Sequence, residues 1–334
     1  MEIGGYRELD LRKGNEYYTG SNVARLNTGR AGIFHALRCY GLNRILIPNY
    51  ECSTVGEFLL RHGVEVAYYH VNSNLRPLIS QDMLQADAAL LIVNYFGMLS
   101  REELFDFVAQ YSYVIFDNTQ AFYSAPVEGS YCVYSPRKFF GVPDGCYVLG
   151  ENATEGLEKY KQDISGDTAS FLLKRIESGG NNNYSLYLKN EERLERSDVL
   201  QMSDLTRALL DNIDYVFCAE KRRENFSIAD SLFHSINQFQ KSLLRDNSTG
   251  FIPMVYPLIV EDELLRTHLK KNSIFVGQWW KYLLRETSEA SIEHYYSKYL
   301  IPIQIDQRYS KEHLLYTAEV INRYLSGSSE ETCI

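Results

Sequence analysis

Tyr113-Val114-Ile115-Phe116-Asp117-Asn118-Thr119-Gln120-Ala121 and, shortly after it, Tyr131-Cys132-Val133-Tyr134-Ser135-Pro136-Arg137-Lys138 decide how this chain is read. Each is a short run of apolar, β-branched and aromatic residues that stops at a polar cluster. Runs of such continuous apolarity suit strands covered on both faces of a sheet. Working outward, residues 44–48, 64–70, 88–95 and 146–149 read as strands of the same kind. Between several of them the spacing predicts helices over 31–40, 53–62, 80–84 and 101–110. Strand alternating with helix implies right-handed crossovers and a largely parallel sheet, an α/β fold, up to about Gly150.

Beyond Gly150 the pattern changes. Residues 154–175 read as helical, and Ser178-Gly179-Gly180-Asn181-Asn182-Asn183 as a loop. A long helical tract follows over 191–240, then a turn at Asp246-Asn247-Ser248-Thr249-Gly250. Strand-like pieces at 251–260 and 274–280 flank a helix over 261–271, and a last helix covers 311–325 before a frayed tail. This predicts a large domain over 1–225, N-terminal arm included, and a smaller α+β domain over 226–334.

Composition narrows the function. The 334 residues, 45% apolar and 23% charged, are those of an ordinary globular protein with room for a full core. The 34 Lys and Arg are outnumbered by 43 Asp and Glu, for a net charge of -9. With no dense basic run, nucleic acid is not an expected partner. The N-terminus has no apolar signal-peptide core and no apolar stretch is long enough for a bilayer, so no membrane association and a cytoplasmic location are expected. Six widely spaced cysteines and seven histidines form no ligand spacing, so no metal is expected.

In open parallel sheets, ligands bind beyond the carboxyl ends of the strands. Three clusters stand at such ends: Asp117 with Asn118, Thr119 and Gln120; Ser135 with Lys138; and Thr28-Gly29-Arg30-Ala31-Gly32 opening a helix. Singly, each reads as a cap, a turn or a solvated charge. Together they supply an anion cradle at a helix start, a carboxylate and a lysine, the needs of pyridoxal phosphate (PLP). His35 reads as a packed helix residue and Trp279-Trp280 as core.

On these residues the chain resembles the DegT family of nucleotide-sugar aminotransferases, PLP enzymes of fold type I. The likeness rests on Thr28-Gly29-Arg30-Ala31, on residues 45–48 followed by Asn49-Tyr50, on Asp117-Asn118-Thr119-Gln120-Ala121, and on Ser135-Pro136-Arg137-Lys138 with Pro143-Asp144-Gly145. It extends loosely through Met202-Ser203-Asp204-Leu205 to Ile301-Pro302-Ile303 and Asp306-Gln307-Arg308-Tyr309. The resemblance implies a mostly parallel mixed sheet sandwiched by helices, a smaller C-terminal α+β domain, and a homodimer.

It also implies roles. Lys138 would form the Schiff base with the cofactor and shuttle the substrate proton, a task suited to an amine whose pKa is lowered by burial and by the nearby ring. Asp117 would pair with the ring nitrogen, and Gln120 would reach the phenolic oxygen. Ser135, Thr28 and the amides of Gly29, Arg30 and Ala31 would hold the phosphate. Asn94 reads equally as a cofactor or substrate contact and as a strand-end cap. Arg30, Arg137, Lys174 and Arg175 are the cations to watch for a donor carboxylate or a diphosphate.

Two departures stand out. Cys52 occupies the position of the family's ring-stacking aromatic, with Tyr50 two residues before it and expected on the same side. Val199-Leu200-Gln201 replaces the asparagine that reaches the partner subunit's cofactor. The activity implied is transfer of an amino group, from glutamate or another amino acid, to a nucleotide-linked keto-sugar. The lysine, where a dehydratase branch has histidine, speaks against dehydration. A non-sugar substrate and a non-catalytic interaction protein remain the alternatives.

Overall fold

The computed structural model describes residues 3, 5–80, 83, 85–239 and 252–327. Its first half is built from β1 (Val23–Leu26), α1 (Gly29–Cys39), β2 (Arg44–Pro48), α2 (Ser53–Arg61), β3 (Glu65–Val71), β4 (Pro77–Leu78), β5 (Ala88–Val93), α3 (Arg101–Gln110), β6 (Val114–Asp117), β7 (Tyr131–Tyr134) and β8 (Cys146–Leu149). The strands form one eight-stranded sheet in the order β1-β8-β7-β6-β5-β2-β3-β4. Neighbours from β3 through β2, β5 and β6 to β7 are parallel, while β8 is antiparallel to both β7 and β1. β1 therefore runs with β7, and the carboxyl ends of β1, β2, β5, β6 and β7 share one edge.

Every residue of β5, β6 and β7 is buried, as expected of strands covered on both faces. β3 alternates instead, with Tyr68 45% exposed, because only the two-residue β4 lies outside it. One face of the sheet meets α1 and α2 through Ile33, Leu37, Phe58 and Leu59. Gly32 is what lets α1 lie so close: a Cβ there would stand 2.5 Å from Cys146 Sγ and 2.9 Å from Val133 Cγ1. The other face joins a larger, aromatic core that continues into the C-terminal third.

That remainder holds α4 (Ser170–Ser178), α5 (Tyr184–Arg196), α6 (Asp204–Leu210), α7 (Tyr215–Phe233), β9 (Val255–Ile259), α8 (Leu265–Lys271), α9 (Leu283–Glu286), α10 (Ile292–Tyr299), β10 (Leu300–Gln304) and α11 (Lys311–Leu325). β9 and β10 pair as an antiparallel two-stranded sheet with Pro257 opposite Pro302. Facing prolines fit a ladder only where neither N–H is needed.

Several expectations are corrected here. The tract 191–240 is not one helix: α5 ends at Arg196, and Gln201 bridges to Leu26 and Gln162 before Ser203 caps α6. Residues 154–169 form turns and two short 3-10 helices rather than a continuous helix, and 274–280 form no strand, with Trp280 turning at φ 51°. β1, β4 and β10 come as additions. The domain boundary expected near 226 is placed inside a helix, and α7 is the helix that spans it. The helix over 80–84, the turn 246–250 and the tail beyond 327 lie wholly or partly outside the described residues.

Candidate active site

The shared carboxyl edge gathers the polar clusters. β6 delivers Asp117, which is 2% exposed, and its Oδ1 accepts the Thr119 N–H at 2.8 Å. β7 leads through Ser135, buried, into a tight turn over Pro136–Lys138. Lys138 is exposed, not buried as the resemblance asked, and its Nζ donates to Thr119 Oγ1 at 2.9 Å. Thr119 thus links the lysine to the carboxylate. Against Thr119 stands the start of α1, where Thr28 Oγ1 accepts the Ala31 N–H at 3.3 Å. A cap of this kind contributes about 1 kcal/mol and leaves the first amides of the helix without an intrahelical acceptor. Gly29 sits directly against the site: a Cβ there would lie 2.9 Å from Thr119 Cγ2.

Asn94, at the end of β5 and fully buried, is committed within the protein. Its Nδ2 donates to Asn118 Oδ1 at 3.0 Å, and its Oδ1 accepts the Leu99 N–H at 2.9 Å. Gln120 Oε1 accepts the N–H of Phe96, a residue held at φ 58°. That left-handed conformation is strained for a bulky side chain, and the Gln120 bond is one of its restraints.

The loop after β2 differs from the sequence reading. Residues 49–52 turn rather than extend, with Glu51 N–H donating back to Asn49 O at 2.9 Å. Tyr50 and Cys52 therefore part company. Tyr50 is fully buried in the aromatic core against Tyr95 and Trp280, whereas Cys52 packs with the α1/α2 face. Tyr50 and Cys52 do not share a side.

Glu51, between them, is a site residue the sequence reading passed over. It is 5% exposed, its Oε1 accepts the Cys52 N–H at 2.7 Å, and its Oε2 is buried without a hydrogen-bond partner. Burial, then the charge of Asp117, push its carboxyl up to about 8, against the pull of Lys138. An acid just past the apolar run 45–48, at a strand end, was the available signal, because an unpaired carboxylate is too costly to bury without purpose.

The C-terminal third fastens this edge in place. Tyr282 OH donates to Glu51 O at 2.8 Å and to Asn49 O at 3.2 Å. Beyond Lys138, Phe139 O accepts from Gln307 Nε2 at 3.0 Å and from the fully buried Arg222, whose guanidinium also reaches Met254 O. Trp279 stacks on Phe96.

The watched cations are all engaged. Arg30 donates to Leu194 O, Arg137 pairs with Glu191, and Lys174 pairs with Glu177 at 3.0 Å. Arg175 packs against Gly180. A cavity of about 400 Å³ beside Arg30 carries as many acids as bases, Glu57, Glu192 and Glu195 against Arg30, Arg61 and Arg196. Gln201 spends its amide on the Leu157 and Tyr160 carbonyls. His35 is packed as expected, its Nε2 2.7 Å from Ala153 O.

With this edge in view, solved structures were compared. The chain superposes on a DegT/DnrJ/EryC1/StrS aminotransferase from Brucella abortus over 90% of its own length and 85% of the other, at TM-score 0.61 and 11% identity. It has the aminotransferase fold. The sugar aminotransferase CalS13 of Micromonospora echinospora matches over 90% and 86%, at TM-score 0.59 and 16% identity. Spr1654 of Streptococcus pneumoniae in its PMP form matches over 91% and 88%, at TM-score 0.62 and 13% identity. No family model and no curated protein matches the sequence. The likeness is one of architecture, a mostly parallel sheet between helices as the strand pattern predicted.

Proposed function

We propose that the chain is a PLP-dependent aminotransferase that moves an amino group from an amino acid, glutamate first among them, to a keto-sugar carried on a nucleotide. One observation carries the reading: the exposed Lys138 amine meets the buried Asp117 through Thr119, at adjoining strand ends and against the start of α1. The donor set suits the cofactor. An amine, a carboxylate and a helix start with open amides are what its aldehyde, ring nitrogen and phosphate require.

When bound, PLP supplies an electron sink for negative charge on the substrate carbon. The rest falls to this chain. Lys138 Nζ would carry the cofactor and then hold the proton exchanged at that carbon. Asp117 would pair with the ring nitrogen and keep a proton there. Gln120 uses its oxygen on Phe96, and its amide N–H would serve the phenolic oxygen. Thr28, Ser135 and the Gly29 and Arg30 amides would hold the phosphate, while the buried floor would exclude water. Small-molecule substrates, a homodimer and a cytoplasmic location go with this reading by analogy. No helix among the described residues is long and apolar enough to cross a membrane.

The test is an absorption spectrum of the full chain with PLP, for wild type and Lys138→Ala, followed by glutamate. The lysine-bound band is expected in wild type alone, and glutamate is expected to bleach it. A protein with no band in excess PLP would be the non-catalytic alternative. A band that glutamate leaves untouched would call for another donor or another PLP reaction.

A further inference from the structure

Glu51 lies beside Asp117, and neither the lysine nor the phosphate cradle explains it. It projects from the turn after β2, across the end of β5, towards the Asp117 carboxyl at the end of β6. Both side chains are almost fully buried. Of four carboxyl oxygens, Glu51 Oε1 and Asp117 Oδ1 each accept a backbone N–H, while Glu51 Oε2 has no donor to accept from. That geometry is satisfied if the carboxyls share a proton, because two adjacent buried carboxylates repel and cannot both stay ionised at small cost.

The neighbours leave few other ways to balance the charge. Glu51 is faced by Asp117 from β6, by Lys138 after β7, by Tyr69 from β3, by Tyr95 after β5 and by Tyr282 from the C-terminal third. The three phenols are pushed above their ordinary range by burial and stay neutral. Lys138 is then the cation opposing two acids.

We propose that Glu51 and Asp117 form a carboxyl–carboxylate pair holding one proton between them beneath Lys138, and that Glu51 is the positioning residue that sets the charge Asp117 presents to the cleft. With one proton the pair carries a single negative charge, matched by one ammonium. Glu51 touches neither substrate nor the reacting carbon; it acts through Asp117. The pair belongs to the chain itself, and only its consequence, control of the charge met by a ring nitrogen, rests on the aminotransferase reading.

The experiment is infrared difference spectroscopy of the full-length protein without added PLP, titrated from pH 5 to 10, alongside PLP absorption on the same samples. Wild type minus Glu51→Gln should show a protonated-carboxyl band that disappears on raising the pH, with a midpoint near 8. Buried Asp144, whose carboxyl is also raised by burial, stays in both proteins and cancels. Asp117→Asn should move the Glu51 midpoint down by about one pH unit or more, since it removes the like charge. This second variant decides the matter if Glu51→Gln fails to fold. A wild-type spectrum without the band, or a midpoint indifferent to Asp117, overturns the pair. PLP binding with no such band would break the pair and keep the aminotransferase reading; the band without PLP binding would do the reverse.

Discussion

The rim and the floor of the cleft are built on opposite terms. At the rim, Lys138 is exposed and held by the hydroxyl of Thr119. On the floor, Glu51, Asp117, Asn94 and Asn118 are buried and bound into the ends of three adjacent backbone segments. A side chain that must make and break bonds gains from a shallow hold. Groups that fix charge gain from being immovable, because a buried field needs no reorganisation during reaction. The comparison separates chemistry from stability, and each variant below should fall clearly on one side.

Lys138→Ala should have the largest effect, a loss of amine transfer of at least ~10³-fold, with stability changed by no more than ~0.5 kcal/mol. Glutamate-dependent turnover and a urea melt read the two. A melt that shifts strongly would show the rim to be structural after all. Asp117→Asn should cost on the order of 10²-fold in turnover through the lost charge. Asn94→Ala belongs to the floor: it strands the Leu99 N–H and Asn118 Oδ1, for about 1–3 kcal/mol of stability in urea. If turnover fell while the melt held, Asn94 would be a contact residue and the division would fail there.

The pH dependence sharpens the same line. Glu51 is raised in the folded protein, so its protonated form stabilises the fold at low pH, and that contribution is lost as pH rises through about 8. The urea midpoint of wild type should therefore fall between pH 6 and 9 relative to Glu51→Gln. The two curves running parallel would contradict it. The smallest effect is expected of Thr119→Val, which removes the hydroxyl that Lys138 uses. Turnover should drop a few-fold and stability by roughly 1 kcal/mol or less.

Much of the sheet was legible because its strands are buried on both faces. Residues 44–48, 131–134 and 146–149 match their strands end for end, and Ser100 with Glu103 opens α3 with a capping box. β1 was missed because Arg25 interrupts it; there the arginine reaches out to Glu16. β10 was hidden by Pro302, which stands opposite Pro257 where neither N–H is needed by the ladder. The break between α5 and α6 carries no glycine or proline to mark it. The bridge at Gln201 that causes it is a tertiary contact.

For the site, the strand-end polar clusters singled out Asp117, Ser135 and Lys138, and the sheet brings the three to one edge. What failed was local conformation. The turn at 49–52 separates Tyr50 from Cys52 and aims Glu51 inward, and no spacing rule anticipates that. Nor could sequence tell that Asn94 spends its amide on Asn118 and Leu99.

The bonds from Tyr282 to the Glu51 loop, and from Arg222 and Gln307 to Phe139, bear on how small this protein can be made. A fragment ending at 225 would keep every strand of the main sheet and every residue assigned to the cofactor. It would also lose the hydroxyl that clamps one side of the cleft and the amide that clamps the other. Such a truncation would retain the full list of parts without the frame that aligns them. The last hundred or so residues are thus half of the vise.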